Sequence, residues 1–142
     1  MKIRFVGYFL GFSLLAAGLT AIADETRPDT ISAEQYKALV NNYSNGKDCI
    51  FSRTINDWSE LDNRSLILYA PTKNKPYYVS LRRQSSELLF AQSIGVYSKF
   101  DNRVCPYGGN ALFIDGERYT IGAIKKLDKK TAKQLIAFNE KK

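Results

Sequence analysis

Two pairs of short apolar runs, each closed by a tight turn, constrain the fold of this chain most strongly. Residues 64–70 have the pattern of a buried strand and residues 77–81 that of its partner, and a six-residue turn with a proline at each end separates them. Residues 111–114 and 118–121 flank Asp115-Gly116-Glu117, and Asp-Gly between apolar runs is the strongest short-range signal for a β-hairpin. The sequence therefore predicts antiparallel strands joined by hairpins.

A helix is predicted on each side of these strands. Ser32, with Gln35 three residues later, forms a capping box, and apolar residues then recur at helical spacing up to a stop at Asn45-Gly46. Asp128 caps a closing helix with an apolar face and a lysine-rich face. Both helices therefore have one side suited to packing on a sheet.

The remaining elements complete the predicted fold class. Short strands are expected at residues 49–51 and 94–97, and a single helical turn at residues 86–91. No long crossover helix separates consecutive strands, which disfavours a parallel arrangement. The prediction is an α+β fold, with a small antiparallel sheet or half-open barrel of five to six short strands flanked by an N-terminal and a C-terminal helix.

Residues 1–23 have the pattern of a cleavable signal peptide. Lys2 and Arg4 give a positive start, an uncharged apolar stretch runs from residue 5 to residue 19, and a small-x-small pattern places cleavage between Ala23 and Asp24. The apolar stretch is shorter than the ~20 residues of a spanning helix. We therefore expect no transmembrane span after cleavage, and one globular domain over residues 24–142, in the periplasm or secreted.

The charge of the processed chain suggests its partners. Loss of the leader lowers the number of basic residues from 21 to 19 against 14 acidic ones, a net charge of +5. A basic exported protein associates with anionic envelope polymers, although such a charge also simply keeps a protein soluble. The expected partner is an anionic cell-envelope polymer or a periplasmic protein. Export argues against nucleic acid, and strands use Tyr and Phe on their pleated surface without such a ligand.

Cys49 and Cys105 are the two cysteines of the chain. In an oxidising compartment an isolated pair forms a disulfide, and no C-x-x-C motif marks either thiol as redox-active. We expect a structural disulfide. The sequence leaves open whether the bond closes within one chain or joins two chains, and it does not give the oligomeric state.

The chemistry of the chain argues against catalysis. It contains no histidine, which removes the usual general base, the Ser-His and Cys-His nucleophile pairs and the commonest transition-metal ligand. We therefore expect no enzyme activity, no metal and no cofactor. The alternative is a hydrolase of envelope carbohydrate that uses Asp57, Glu60 or Asp62, because glycosidases work with paired carboxylates. A third hypothesis, a hydrolase inhibitor, is disfavoured because lysozymes are themselves basic and would repel it.

The segment around Trp58 has two interpretations. In the first it is a loop, in which Trp58 and Leu61 fill the core while Asp57, Asp62 and Asn63 make turn hydrogen bonds. In the second, Trp58 belongs to a contact surface with aromatic and basic residues of the neighbouring strands. The candidate ligand-contact residues are Trp58, Arg64, Tyr77, Arg82 and Arg83. The leading functional prediction is a non-enzymatic binding or envelope-associated module.

Short motifs along the core resemble a domain-of-unknown-function family of small exported proteins and lipoproteins of Gram-negative bacteria. They are Cys49-Ile50, Trp58-x-x-Leu61-Asp62-x-Arg64, Tyr78-Val79 with Leu81, and Val104-Cys105 with a glycine soon after. The likeness covers about residues 47–128 and implies no activity. This chain departs from it in having no lipidation cysteine after the leader. The resemblance also implies a second cysteine pair in relatives, at Ser85 or Ser86 and at Tyr119 of this sequence.

Overall fold

A computed structural model describes residues 30–99 and 102–141. The predicted signal peptide of residues 1–23 and its cleavage site between Ala23 and Asp24 lie outside these residues. The helices are α1 (Ala33–Tyr43) and α2 (Lys129–Glu140), and neither is long and apolar enough to cross a membrane. The strands are β1 (Ile50–Phe51), β2 (Asp57–Glu60), β3 (Ser65–Tyr69), β4 (Pro76–Leu81), β5 (Ile94–Tyr97), β6 (Arg103–Val104), β7 (Ala111–Ile114) and β8 (Glu117–Lys126).

Six strands form one antiparallel sheet in the order β2-β3-β4-β8-β7-β5, and the sheet curls into a half-barrel. Strands β1 and β6 pair separately as a two-stranded ribbon. One helix precedes the strands and the other follows them. The structure thus confirms the predicted α+β fold, with a half-open antiparallel sheet between an N-terminal and a C-terminal helix.

Both predicted hairpins are present. Strands β3 and β4 pair from Ser65↔Ser80 to Tyr69↔Pro76, across the turn between the two prolines. Strands β7 and β8 are joined by Asp115-Gly116, whose φ angles are +47° and +90°. A two-residue turn that matches strand twist needs positive φ at both positions, which aspartate tolerates and glycine favours.

The segment at Trp58 was expected to be a loop, and this expectation is wrong. Residues Asp57–Glu60 form β2, which pairs with β3 along its whole length at the edge of the sheet. One side of an edge strand faces solvent, so its sequence can be polar and lack the apolar alternation of an inner strand. Leu61 does fill the core as predicted, because it is 3% exposed.

Apolar side chains fill both faces of the sheet because successive residues of a strand point to opposite sides. Leu66 and Leu68 of β3 belong to the cluster inside the half-barrel. Ile67, between them, belongs to a second cluster that holds the two helices on the outer face. Tyr36 of α1 and Leu135 of α2 contribute to this second cluster. The curled sheet therefore separates two apolar cores, one on each of its faces.

The two cysteines form a disulfide within the chain. The Cys49 and Cys105 sulfur atoms are 2.07 Å apart. Cys49 directly precedes β1 and Cys105 directly follows β6. The disulfide therefore joins the two strands of the ribbon at the end where Ile50 pairs with Val104. The disulfide prediction is confirmed, and the bond is intramolecular.

The helix caps follow the predicted motifs. Ser32 and Gln35 form a reciprocal capping box at the start of α1. The carboxylate of Asp128 accepts hydrogen bonds from the backbone N–H and the hydroxyl of Thr131, at 2.9 Å and 3.1 Å. These bonds favour the anion, and they lower the pKa of Asp128 below its ordinary value of 3.8.

We expect Asp128→Ala to lower the free energy of unfolding by about 1 kcal/mol near neutral pH, the usual value of an N-cap. Because the folded pKa is depressed, the contribution is complete above pH 3.8 and fades as the pH falls through the lower folded value. Urea unfolding of both proteins at about pH 7 and about pH 2 should show the difference shrink at the acidic pH. An unchanged difference would contradict the assignment of the carboxylate as the cap.

Candidate functional site

A cleft of about 590 Å³ lies between the C-terminal end of α1 and the outer face of the sheet. It exists because α1 ends at Tyr43 and because the register of β4 and β8 shifts at Ser80–Leu81, where Gly122 is the extra residue of β8. Glycine has no side chain to fill the space. The polar and glycine residues that line the cleft include Ser44, Arg64, Ser65, Ser80, Arg82 and Gly122.

The guanidinium of Arg64 is fixed at one side of this cleft. Its Nε donates to the carbonyl oxygen of Leu81 at 2.9 Å, and its Nη2 donates to that of Arg82 at 3.0 Å. A guanidinium has five N–H donors, and these two bonds use two of them. Arg64 is therefore held across the end of β4 with donors left for a ligand.

Arg82 supplies a second cation to the same cleft. Its backbone N–H donates to Thr120 of β8, which fixes the start of the side chain. Within residues 30–99 and 102–141, no hydrogen bond or ion pair involves its guanidinium. Two guanidinium groups with free donors in one cleft are chemically suited to bind a phosphate or carboxylate.

Asp62 places one negative charge in the wall of the cleft. Its Oδ1 accepts the backbone N–H groups of Arg64 and Ser65 at 2.7 Å and 2.8 Å, and its Oδ2 accepts the hydroxyl of Tyr36 at 3.2 Å. These three hydrogen-bond donors partly offset the negative charge of Asp62, which would otherwise repel an anion in the cleft more strongly. The carboxylate thus orders the turn that carries Arg64, in agreement with the turn role predicted for Asp62.

The tyrosines beside the cleft remain neutral hydroxyls at physiological pH. Burial raises the pKa of Tyr78, which lines the cleft, above its ordinary value of 10.0. Burial also raises the pKa of Tyr36 to about 12. Neither phenol adds negative charge to the wall, so the two arginines determine its electrostatic character together with Asp62.

Of the five candidate contact residues, the structure brings only Arg64 and Arg82 together in this cleft. Arg83 lies elsewhere, because its Nη2 donates to Glu117 at 2.7 Å and its guanidinium lies 4.1 Å from the centre of the Tyr119 ring. Both residues follow β4 in a bend of the chain, and their side chains have different surroundings. The Arg82-Arg83 pair is therefore divided between two surfaces.

Trp58 and Tyr77 form a separate pair inside the half-barrel. Both stand opposite Leu68 of β3, on its two neighbouring strands, and both are half-buried against the inner core. Their packing agrees with the core role considered for Trp58. The structure therefore separates the predicted contact set into a cationic cleft on the outer face, an aromatic row on the inner face and the Arg83 ion pair.

Asp57 and Glu60, two of the three carboxylates of the hydrolase hypothesis, do not form a matched pair. Asp57 and Glu60 are three residues apart in β2, so they point to opposite faces of the sheet. Lys73 lies 2.8 Å from Asp57 and lowers the pKa of that carboxyl, with help from the N–H of Trp58. Asp57 is an anion at neutral pH and has no proton to donate as an acid.

Comparison with known proteins gives a family without an assigned activity. Residues 1–141 match the model of the Family of unknown function (DUF6491). The chain belongs to this family. No curated protein and no solved structure matches it. The resemblance to a domain-of-unknown-function family is thus confirmed at the level of the family.

Several residues of the cleft in this DUF6491 chain were not predicted from its sequence. Ser65 begins β3, whereas Ser80 lies between two apolar residues of β4, and this interruption is the signal that could have marked Ser80 as outward-facing. Ser44 follows α1 directly, and the predicted helix stop comprised only Asn45-Gly46. Gly122 gave no signal, because its role depends on a register shift between strands that are distant in sequence.

In the part of the DUF6491 chain that the structure describes, no group of three or more His, Cys, Asp or Glu side chains is placed to hold a metal ion. The cleft offers hydroxyl and guanidinium donors and one carboxylate that is already hydrogen-bonded. Its chemistry is that of a site for an anion.

Proposed function

We propose that this protein is an exported, non-catalytic binding module that holds an anionic group of a cell-envelope component between Arg64 and Arg82. The observation that carries the proposal is that these two arginines line one cleft of about 590 Å³. Charge-assisted hydrogen bonds from arginine are the strongest that a protein offers to phosphate and carboxylate.

The pre-ordering of Arg64 supports binding as the role of the cleft. Two backbone carbonyl groups fix its guanidinium before any ligand arrives, so little side-chain entropy is lost when an anion binds. Ser80 adds a hydroxyl group to the lining of the cleft, whereas the hydroxyl of Ser44 donates to the carbonyl oxygen of Asn41 at 2.6 Å. A serine hydroxyl such as that of Ser80 can donate a hydrogen bond to a phosphate oxygen.

Three observations support binding without catalysis. The sequence has no histidine, Asp57 and Glu60 lie on opposite faces of β2, and Asp62 is occupied by three hydrogen bonds that order the fold. An acid–base mechanism on carbohydrate needs two carboxyl groups that face one glycosidic bond. The placement of Asp57 and Glu60 on opposite faces supports a role other than this mechanism.

The leader pattern and the disulfide support export. Residues 1–23 fit a signal peptide, and structural disulfides belong to oxidising compartments such as the periplasm and the cell exterior. In that setting a protein with net charge +5 after processing meets phosphate-bearing and carboxylate-bearing polymers. An anionic envelope polymer is therefore the ligand class that we favour.

We expect Arg82→Gln to weaken binding of orthophosphate about tenfold, because a hydrogen bond to a charged group is lost. The matched control is Arg53→Gln, which removes the same charge from an exposed position outside the cleft. It should weaken binding less than about twofold. The measurement is an NMR titration with orthophosphate, in which the amides of Ser80 and Gly122 should shift.

Two results would overturn the proposal. One is the absence of any saturable shift at these amides with orthophosphate. The other is an equal loss of affinity in the two variants, because diffuse attraction by the net charge would then account for all of the binding.

A further inference from the structure

The cleft at Arg64 and Arg82 does not end at Gly122. A second cleft of about 180 Å³ shares Ser44 and Gly122 with it and continues toward Lys47 and Tyr107. We propose that the two clefts form one groove, which binds a linear chain carrying repeated anionic groups. This proposal rests on the anion site proposed above and extends it to the class of ligand.

Cations stand at both ends of this groove. Arg64 and Arg82 line the larger cleft, where the Arg82 side chain lies beside Gly122, and Lys47 lines the smaller one. Among the residues that the structure describes, the exposed Lys47 ammonium makes no hydrogen bond or ion pair. The neighbouring carboxylate of Asp48 is engaged, because its Oδ2 accepts the N–H of Lys126 at 2.7 Å. Each end therefore offers positive charge to its own anionic group.

The strand order sets the distance between the two ends. The guanidinium of Arg64 is bonded to the end of β4, β4 pairs with β8, and Lys47 bridges to Ile124 of β8. Neighbouring strands lie about 4.8 Å apart, so the backbone segments that carry the two ends are two strand spacings, about 10 Å, apart. A chain with recurring charges can contact both ends at once.

Gly122 keeps the passage between the ends open. A Cβ atom at this position would lie 3.4 Å from Cγ of Arg82 and 3.5 Å from the carbonyl oxygen of Ser80. These are ordinary contact distances, so a side chain fits sterically while it projects into the groove. Tyr107, which is 60% exposed, borders the far end and offers an aromatic surface to the uncharged parts of a chain.

The test compares orthophosphate with long-chain polyphosphate as a probe of repeated anionic groups. We expect polyphosphate to bind about tenfold more tightly than orthophosphate, because its second contact is intramolecular. Lys47→Gln should lower the affinity for polyphosphate about fivefold and leave the affinity for orthophosphate unchanged. Lys75→Gln is the matched control, since Lys75 lies in the turn at the other end of β4. Gly122→Leu should also lower the affinity for polyphosphate, because the leucine side chain would fill the connection between the two clefts.

The outcomes separate this proposal from the one that it extends. If orthophosphate binds in an Arg82-dependent way but Lys47→Gln and Lys75→Gln affect polyphosphate equally, the groove is refuted and the single anion site stands. If orthophosphate does not bind at all, the anion site itself is refuted. The test does not depend on the folding of the Gly122 variant, because Lys47→Gln changes only an exposed side chain.

Discussion

Replacing Cys49 and Cys105 together by serine is expected to lower the free energy of unfolding by about 4 kcal/mol. The two cysteines are 56 residues apart, and a cross-link over a loop of this length restricts the unfolded chain strongly. The loop contains β1 to β6. Strands β1 and β6 pair through only two residues each, and so short a ribbon has little stability of its own.

Urea unfolding, followed by the fluorescence of the single tryptophan Trp58, measures this difference. Wild-type protein unfolded in a reducing agent is the control, and it should match the double variant because both lack the cross-link. Equal stability of the oxidised wild type and the double variant would contradict the prediction. The variant should also bind polyphosphate less well, since Cys105 anchors the segment that carries Tyr107 beside the groove.

The elements that were predicted correctly are those with a local signature. Ser32 and Gln35 mark the start of α1, Asp115-Gly116 marks the β7–β8 turn, and Asp128 marks the start of α2. Each signature involves residues at most three positions apart, so one stretch of sequence contains the whole interaction. The antiparallel class followed from the hairpins for the same reason.

The pairing of distant strands carries no such signature. Strand β8 pairs with β4 as well as with β7, and this places residues 76–81 beside residues 121–126. Strand β2 escaped prediction because its polar residues suit an exposed edge and not an inner strand. Strand β2 forms because it pairs with β3, and the sequence pattern of residues 57–60 alone does not predict this pairing.

In the candidate site, too, some residues could be recognised from the local sequence, whereas others belong to the site only through contacts between distant parts of the chain. The sequence singled out Arg64 and Arg82 by charge, and the structure places both in one cleft. It did not separate Arg82 from Arg83, because the position of Arg83 depends on contacts with Glu117 and Tyr119, which are distant in sequence. Ser44 and Gly122 belong to the cleft only through the packing of α1 against β8, which brings together residues that are far apart in the chain.

Asp62→Ala is expected to lower the free energy of unfolding by about 3 kcal/mol, whereas Asp62→Asn should lower it by less than about 1 kcal/mol. Alanine leaves the N–H groups of Arg64 and Ser65 and the hydroxyl of Tyr36 without their acceptor. Asparagine keeps a carbonyl oxygen that accepts the two N–H groups now bound by Oδ1. Urea unfolding of the two variants against wild type measures both effects.

The same two variants separate a structural Asp62 from a catalytic one. As a member of the cleft wall, Asp62 repels an anion, so Asp62→Asn should bind orthophosphate about twofold more tightly than wild type while it remains folded. As a catalytic carboxylate, its replacement by asparagine would abolish hydrolysis of a carbohydrate substrate that wild type cleaves. Tighter orthophosphate binding without any hydrolysis by wild type would support the binding module. If wild type hydrolyses the substrate and folded Asp62→Asn protein does not, the binding-module proposal is refuted in favour of a carboxylate hydrolase. A side chain that only orders the turn would have no part in bond cleavage.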